Sequence, residues 1–181
     1  IEWRKVDLYS ISSSENALKG ADIGIYLVHS MQPSTRLSQG KFEDTDLLLA
    51  DNFSIAAQKN NLKQIIYLGG ILPKDKHEIS KHLSSRYEVE KTLGSRDIPL
   101  TAIRAGIIIG PGGSSFKIVT NLIKNLPIMA CPKWTKSENQ PIDVFDVLNI
   151  VKQSLGNKLT YNKNIEIGGP EIMTYMELLI K

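Results

Sequence analysis

The sequence predicts an α/β protein in which a doubly wound parallel sheet forms the middle of three layers. Short apolar runs without polar alternation are typical of strands that are buried on both faces. Helical patterns lie between these runs, so that strand and helix alternate along all 181 residues. A chain of this length buries roughly two-thirds of its unfolded surface, which is enough for one domain with a sizeable core.

The first part of the chain predicts two strands and two helices. Ser12 to Ser14 can cap a short helix that Gly20 stops, which is the usual asymmetry of helix ends. Apolar residues at helical spacing, among them Leu47, Phe53 and Ala56, predict a longer second helix. We therefore expect, in order, a strand at 3–8, a helix at 12–18, a strand at 23–28 and a helix at 43–59.

Glycine and proline turns separate the elements of the second part. Gly69 and Gly70 close one strand, Gly94 closes a helix, and a Gly-Pro-Gly-Gly turn at 110–113 ends another strand. The remaining strands and helices follow the same alternation. We expect strands at 64–68, 100–109 and 164–167, and helices at 81–93, 116–125, 144–155 and 174–180.

Composition excludes several classes of protein. Hydrophobic residues make up 41% and charged residues 23%, which argues against disorder. No apolar run approaches the roughly 18 residues of a membrane helix, so we expect no membrane span. The formal charge of +3 comes from scattered basic residues, and we expect no nucleic-acid partner. The single cysteine, Cys131, excludes an internal disulfide and a multi-cysteine metal site, so we expect no metal and a cytoplasmic location.

The residues at the strand ends are the candidate ligand site, because open parallel sheets bind ligands outside the carboxyl ends of their strands. Gly69 and Gly70 would let a ligand approach the backbone, although turn chemistry explains them as well. His29 contacts either a ligand or a neighbouring loop, and Arg104, a charge in a buried strand, needs either a ligand or a salt bridge. The candidates are Asp7, Leu8, His29, Ser30, Met31, Leu68, Gly69, Gly70, Arg104, Ala105, Gly106 and Ile107.

The predicted helix at 81–93 carries two rival pairs at i, i+4 spacing, which places both members of a pair on one face. One pair is Tyr87 with Lys91, and the other is His82 with Arg86. With His82 at zero and about 100° per residue, the apolar residues centre near 30°. The spacing therefore predicts that His82 and Arg86 point inward and that Tyr87 and Lys91 point to solvent.

Two interpretations of the inward pair stay open. His82 in a cleft could serve as a general acid or base near neutral pH, and Arg86 could offer a donor fork to hydroxyls or phosphate. Alternatively, Arg86 pairs with Glu90 one turn later, and His82 is an interior residue whose hydrogen bonds are satisfied. In the first interpretation the pair is catalytic, and in the second its role is structural.

Several motifs resemble the short-chain dehydrogenase/reductase superfamily, most closely its atypical and extended branch of nucleoside-diphosphate-sugar epimerase-like and NmrA-like proteins. The resemblance covers nearly the whole chain. It implies a Rossmann-like fold that binds NAD or NADP, with NADP slightly preferred. The motifs are ADIGIYLVHS at 21–30, IIYLGG at 65–70, SSRYEVEKTL at 84–93, TAIRA at 101–105 with IG at 109–110, QPIDVFD at 140–146 and GGPE at 168–171.

The resemblance also implies that the fold is incomplete at its N-terminus. In the superfamily, a strand, a glycine-rich phosphate loop and a second strand come before the point where this sequence begins. We expect a fragment of a longer protein whose dinucleotide binding requires the missing segment, with Asp7 and Leu8 beside the adenine. Residues 111–142 and 164–181 would form the smaller, substrate-side part of a single domain over 1–181.

The superfamily uses a Tyr-x-x-x-Lys pair beside a serine or threonine. By resemblance, His82 and Arg86 occupy the places of the tyrosine and the lysine, and Gly69 stands where the serine is expected. The implied function is an oxidoreductase or epimerase-like activity, with hydride transfer on a small carbonyl, alcohol or nucleotide-sugar substrate. The alternatives are a noncatalytic redox sensor or accessory subunit and, third, a flavodoxin-like phosphate-binding fold. The expected partners are a dinucleotide and a small molecule, whereas enzymatic activity and homo-oligomerisation stay open.

Overall fold

The computed structural model describes residues 1–29, 42–73, 80–111, 113 and 136–180. Helices and strands alternate from Ile11 to Ala105, and beyond Ala105 several short strands follow one another, with a 3₁₀ turn at Lys158–Thr160. The helices are α1 (Ile11–Ala17), α2 (Phe42–Lys59), α3 (Lys81–Leu93), α4 (Val144–Ser154) and α5 (Tyr175–Ile180). The strands are β1 (Ile23–Tyr26), β2 (Gln64–Gly70), β3 (Leu100–Ala105), β4 (Ile108–Ile109), β5 (Glu138–Asn139), β6 (Ile142–Asp143), β7 (Lys163–Ile167) and β8 (Met173–Thr174).

Within the described ranges, the main sheet has four strands in the order β1-β2-β3-β7. β1 and β2 run parallel, with Ile23 beside Gln64 and Tyr26 beside Tyr67. A parallel pair needs a long crossover, and α2 supplies it here by lying between β1 and β2 in the sequence. The predicted parallel sheet with flanking helices is confirmed.

The core forms where α2 and α3 pack on this sheet. Every residue of β3 is buried, as are most residues of β2, which explains why neither strand shows polar alternation. Apolar side chains of the two helices close the core against the strands. The buried cluster contains Tyr26, Ala50, Phe53, Ala57, Leu62, Ile65, Tyr67, Val89, Leu93, Ile98, Leu100 and Ala102.

The predicted strand at 3–8 is wrong. Residues 1–7 are exposed and form no strand, and Trp3 keeps 91% of its surface accessible. A strand needs a neighbour with which to pair its backbone, and no described residue supplies one to this segment. Instead, the Arg4 guanidinium donates hydrogen bonds to the carbonyl oxygens of Ala17 and Lys19, at 3.0 and 2.7 Å.

The predicted strand at 100–109 is divided in two. The backbone leaves β3 after Ala105, and β4 then pairs with β6 in a parallel register. The bend falls at Gly106, where a Cβ atom would lie only 2.6 Å from the side-chain oxygen of Asn139. That same oxygen accepts a hydrogen bond from the Ile107 amide at 3.3 Å. The apolar run at 100–109 therefore continues through a bend at Gly106. The bend depends on a contact with Asn139, which is distant in sequence, so the run alone did not predict it.

The chain divides into two compact units. The first contains residues Ile1–Arg104 and Ser154–Ile165, and the second contains Ala105–Gln153 and Glu166–Lys181. The predicted substrate-side part, 111–142 with 164–181, overlaps mainly with the second unit and stays a prediction. The predicted helix at 116–125 lies outside the described residues. Among the helices that the structure describes, none has the length and apolarity needed to cross a membrane.

Candidate functional site

Asp7 and Leu8 lie in a turn before α1 rather than at the end of a strand. The Asp7 amide donates to the Ser13 hydroxyl at 2.9 Å, and the Asp7 carboxylate accepts from the Tyr9 amide at 3.1 Å. Leu8 packs against the core, and its carbonyl oxygen accepts from the Asn52 side chain at 2.8 Å. These contacts give both residues a local structural role, and their predicted place beside an adenine stays a prediction.

His29 follows β1 by three residues and is held by an acidic side chain of α2. Its Nδ1 lies 3.2 Å from Oδ2 of Asp46. The histidine side chain is 22% exposed and the Asp46 side chain only 3% exposed, so the carboxylate is buried behind an accessible imidazole. Ser30 and Met31, the other two candidates of this strand end, lie outside the described residues.

Burial lowers the pKa of the His29 imidazole below its ordinary value of 6.5. The positive charge of Arg86 lowers this pKa further, and His82 acts in the same direction. The Asp46 carboxylate opposes them by charge and by its hydrogen bond. Residues from α2 and α3 therefore share one electrostatic environment with the end of β1.

Helix α3 begins where Ser80 caps it by accepting a hydrogen bond from the Leu83 amide at 3.3 Å. Its buried face carries Ser85, Val89, Glu90 and Leu93. His82 is exposed, so the prediction that it points inward is wrong. A helical wheel gives the angle of a residue but not its position along the axis, and His82 lies in the first turn, beyond the covered part of the helix.

Arg86 lies next to the end of β2. Its Cδ is 4.0 Å from the position that a Cβ on Gly70 would take, and its backbone carbonyl accepts from the Tyr67 hydroxyl at 3.2 Å. Arg86 is half-buried, and its guanidinium makes no hydrogen bond or ion pair within the described part of the chain. The charge of Arg86 acts on His29, and no described carboxylate pairs with this guanidinium.

The alternative in which Glu90 pairs with Arg86 is wrong, because Glu90 pairs with Arg104. The Arg104 guanidinium donates to both carboxylate oxygens, from Nε at 3.0 Å and from an Nη at 2.6 Å. Both side chains are about nine-tenths buried. Arg104 also lies 6.0 Å from the centre of the Tyr87 ring. The sequence left a salt bridge or a ligand as explanations for Arg104, and the salt bridge is present. The predicted contact of Arg104 with a cofactor stays a prediction.

The two glycines that end β2 are fitted closely to side chains of the protein itself. A Cβ on Gly69 would lie 2.9 Å from the Tyr67 ring, and one on Gly70 would lie 2.6 Å from a methyl group of Leu83. Packing therefore accounts for both glycines without a ligand. A further role for Leu68, Gly69 and Gly70 in approaching a cofactor stays a prediction.

Two buried tyrosines line the core side of this region. Burial raises the pKa of Tyr67 to about 12, and the carboxylates of Glu90 and Asp46 add to the rise while Arg86 opposes it. Burial also raises the pKa of Tyr26, with Asp46 as the next contribution. Both phenols therefore stay neutral at physiological pH and cannot act as bases.

Of the rival pair, Lys91 is exposed as predicted, whereas Tyr87 is half-buried. Lys91 pairs with Glu88 at 3.0 Å and lies 4.3 Å from the centre of the Tyr87 ring. Ala105, Gly106 and Ile107 belong to the second unit, and their predicted contact with a cofactor stays a prediction. Within the residues described, no group of three metal-ligating side chains lies close enough to hold a metal ion.

Sequence reasoning missed Asp46, although a signal was present. Asp46 stands at i before Leu49, Ala50 and Phe53, which are buried at i+3, i+4 and i+7 of α2. A carboxylate on the apolar stripe of a helix needs a partner, since burying an unpaired charge is costly. His29 provides that partner in the structure.

The fold is similar to the Rossmann-like α/β folds of solved nucleotide-sugar epimerases and dehydratases. The enzyme WbmG of Bordetella bronchiseptica, solved with NAD, is 15% identical, has a TM-score of 0.74 and matches 96% of this chain and 59% of its own. UDP-glucose 4-epimerase of Thermotoga maritima, solved with UDP-glucose, is 14% identical, has a TM-score of 0.75 and matches 98% of this chain and 65% of its own.

Among curated proteins, the auxiliary protein GraX of Staphylococcus aureus (strain NCTC 8325 / PS 47) is 29% identical over 68 residues. That match covers 38% of this chain and 22% of GraX. No family model matches the chain. The chain spans about six-tenths of the solved structures, with 59% of one and 65% of the other. At these identities the likeness confirms the predicted Rossmann-like, epimerase-type fold.

Proposed function

We propose that the full-length protein binds NAD or NADP and acts as an oxidoreductase or epimerase on a small alcohol, carbonyl or nucleotide-sugar substrate. The observation that carries the proposal is that His29 follows β1 and Arg86 lies beside the last residue of β2, with the charge of Arg86 acting on His29. This is the edge at which open α/β sheets bind nucleotides. WbmG and the Thermotoga epimerase, which share the fold, were solved with NAD and with UDP-glucose.

The described residues fit the nicotinamide end of a dinucleotide better than its adenine end. The guanidinium of Arg86 can donate to ribose hydroxyls or to phosphate, since it makes no hydrogen bond within the described residues. The accessible imidazole of His29 can exchange a proton with a hydroxyl. A nicotinamide dinucleotide, when bound, supplies a hydride acceptor or donor at C4. Asp7 and Leu8, in contrast, are engaged by α1 and α2.

The direct test is a titration of the full-length protein with NADPH and NADH, followed by nicotinamide fluorescence and calorimetry. We expect micromolar binding, with NADPH slightly tighter. Arg86→Gln should weaken binding about tenfold, because a charge-assisted hydrogen bond contributes about 1.5 kcal/mol or more. Lys91→Gln, on the same helix but paired with Glu88 at the surface, is the matched control and should leave the affinity unchanged.

Absence of binding by either dinucleotide would contradict the proposal. Equal effects of Arg86→Gln and Lys91→Gln would contradict the placement of the ligand at Arg86. Binding without turnover of any alcohol or carbonyl substrate would favour the alternative, a noncatalytic cofactor-binding subunit.

A further inference from the structure

The pairing of His29 with Asp46 determines which nitrogen of the imidazole carries the hydrogen. A carboxylate can only accept hydrogen bonds, so Nδ1, at 3.2 Å from Oδ2 of Asp46, must be the donor. In a neutral imidazole the other nitrogen, Nε2, then has a free electron pair. His29 is therefore held in the tautomer whose Nε2 can accept a proton or a hydrogen bond.

The groups around His29 favour this neutral form. Arg86 and His82 of α3 repel a second proton on the ring, and burial acts in the same direction. Asp46 of α2 attracts that proton but also orients the ring. Tyr26 of β1 and Tyr67 of β2 add no charge, since burial raises the pKa of both phenols. Among the described residues, Arg86, Asp46 and His82 are the groups whose charges shift the pKa of His29.

His29 differs in these respects from His82. His82 is exposed in the first turn of α3, whereas His29 is partly covered and oriented by a buried carboxylate. Proton transfer requires a group of defined orientation, within hydrogen-bond reach of the proton that it takes. His29 has such an orienting group, because the buried carboxylate of Asp46 lies 3.2 Å from its Nδ1.

We propose that His29 is the proton-accepting residue of this site and that Asp46 is the positioning residue that keeps its Nε2 free for that role. The inference rests on the proposed function and deepens it. In the oxidation of an alcohol, the O–H bond breaks and the proton passes to Nε2 of His29. The carbon–hydrogen bond breaks with its electron pair, which leaves as hydride to the oxidant NAD(P)⁺, and a carbonyl forms.

The tautomer can be measured directly by ¹⁵N NMR of the imidazole rings in the full-length protein, with His29→Gln to assign the His29 signals. We expect Nδ1 of His29 to be protonated and Nε2 unprotonated at pH 7.5. Asp46→Asn should reduce the population of this tautomer and lower the pKa of His29, because the attraction of the carboxylate is removed. Arg86→Gln should raise that pKa, because a repelling charge is removed.

Asp44→Asn is the matched control, since Asp44 is exposed on the same helix and two residues away. It should leave the tautomer and the pKa of His29 unchanged. A merely structural Asp46 would lower the stability of Asp46→Asn without changing either quantity. That result, or a wild-type ring protonated at Nε2, would overturn the proposal.

Ligand binding separates this inference from the proposed function. Calorimetry with NAD⁺ and UDP-glucose as probes shows whether the site binds at all, and absence of binding counts against the proposed function while the tautomer is still measured. When the probes bind, we expect the Nε2 signal of His29 to shift and the Nδ1 signal to stay in place. Binding without a shift at Nε2 would overturn the role of His29 as proton acceptor.

Discussion

Arg104 shows how one charged residue in a buried strand obtains its partner. A guanidinium within the apolar run of β3 requires a counter-charge, and the sequence predicts that need. The sequence does not predict which carboxylate pairs with Arg104, because that choice depends on how α3 packs against β3. The structure pairs Arg104 with Glu90 through two hydrogen bonds, rather than pairing Glu90 with Arg86 four residues earlier on the same helix.

We expect Glu90→Gln to destabilise the protein by about 3 kcal/mol, because removing one partner of a buried ion pair leaves an uncompensated charge. The measurement is the free energy of unfolding from urea denaturation. Glu88→Gln is the control on the same helix. It breaks the exposed pair with Lys91 and should cost less than about 1 kcal/mol. Equal losses in the two variants would contradict the assignment of Arg104 and Glu90 as a buried pair.

Among the elements, α3 was predicted with both of its ends, whereas the strand at 3–8 was not found. The ends of α3 depend on neighbours in sequence, since Ser80 caps the first turn and Gly94 follows the last residue. A strand depends on a partner that the local sequence does not specify. The same reason explains the division of the 100–109 run, which a contact between Gly106 and Asn139 imposes.

Ser80→Ala should lower the free energy of unfolding by about 1 kcal/mol, because the Leu83 amide loses the hydroxyl that caps the helix. Chemical denaturation measures the difference. Ser84→Ala, at an exposed position of the same helix, should change stability by less than about 0.5 kcal/mol. A neutral Ser80→Ala variant would mean that the first turn of α3, which carries His82, does not depend on this cap.

At the scale of the whole molecule, the buried side chain of Gln64 in β2 joins the main sheet to the segment at Ser154 and Gly156, some ninety residues later in the chain. Gln64 is fully buried and donates to the Thr101 hydroxyl and to the Ser154 carbonyl, each at 2.9 Å. Its carbonyl oxygen accepts from the Gly156 amide at 2.8 Å. The three bonds hold β2, β3 and the segment after α4 together within the first unit.

Gln64→Leu should cost about 3 kcal/mol of stability, because the Ser154 carbonyl and the Gly156 amide lose their buried partner. Native-state hydrogen exchange should show faster exchange at the Gly156 amide. Gln58→Leu, at an exposed position of α2, is the control and should leave that exchange rate unchanged. An unchanged Gly156 amide in Gln64→Leu would contradict the role of Gln64 in holding this segment.

The sequence was sufficient to predict the fold, whereas the functional role of the candidate site residues stays a prediction. Alternation of strands and helices is a local property, and it was sufficient to predict the parallel sheet. Strand ends and helix angles, which are also local, led to His29 and Arg86 as candidates, and their role in a site stays a prediction. The spacing of α2 indicated a buried carboxylate at Asp46, which was missed. Its partner His29 could not be predicted, because that contact depends on the packing of α2 beside the end of β1.

The strand order also bears on the synthesis of the protein. β3 has β2 on one side and β7 on the other, yet β7 follows β3 by about sixty residues in the chain. At a rate of about 5–20 residues per second, the ribosome needs about 3–12 seconds to deliver β7 after β3 has emerged. During that interval the backbone groups on one side of β3 have no partner strand. The nascent chain therefore presents an unpaired strand edge to chaperones until β7 leaves the exit tunnel.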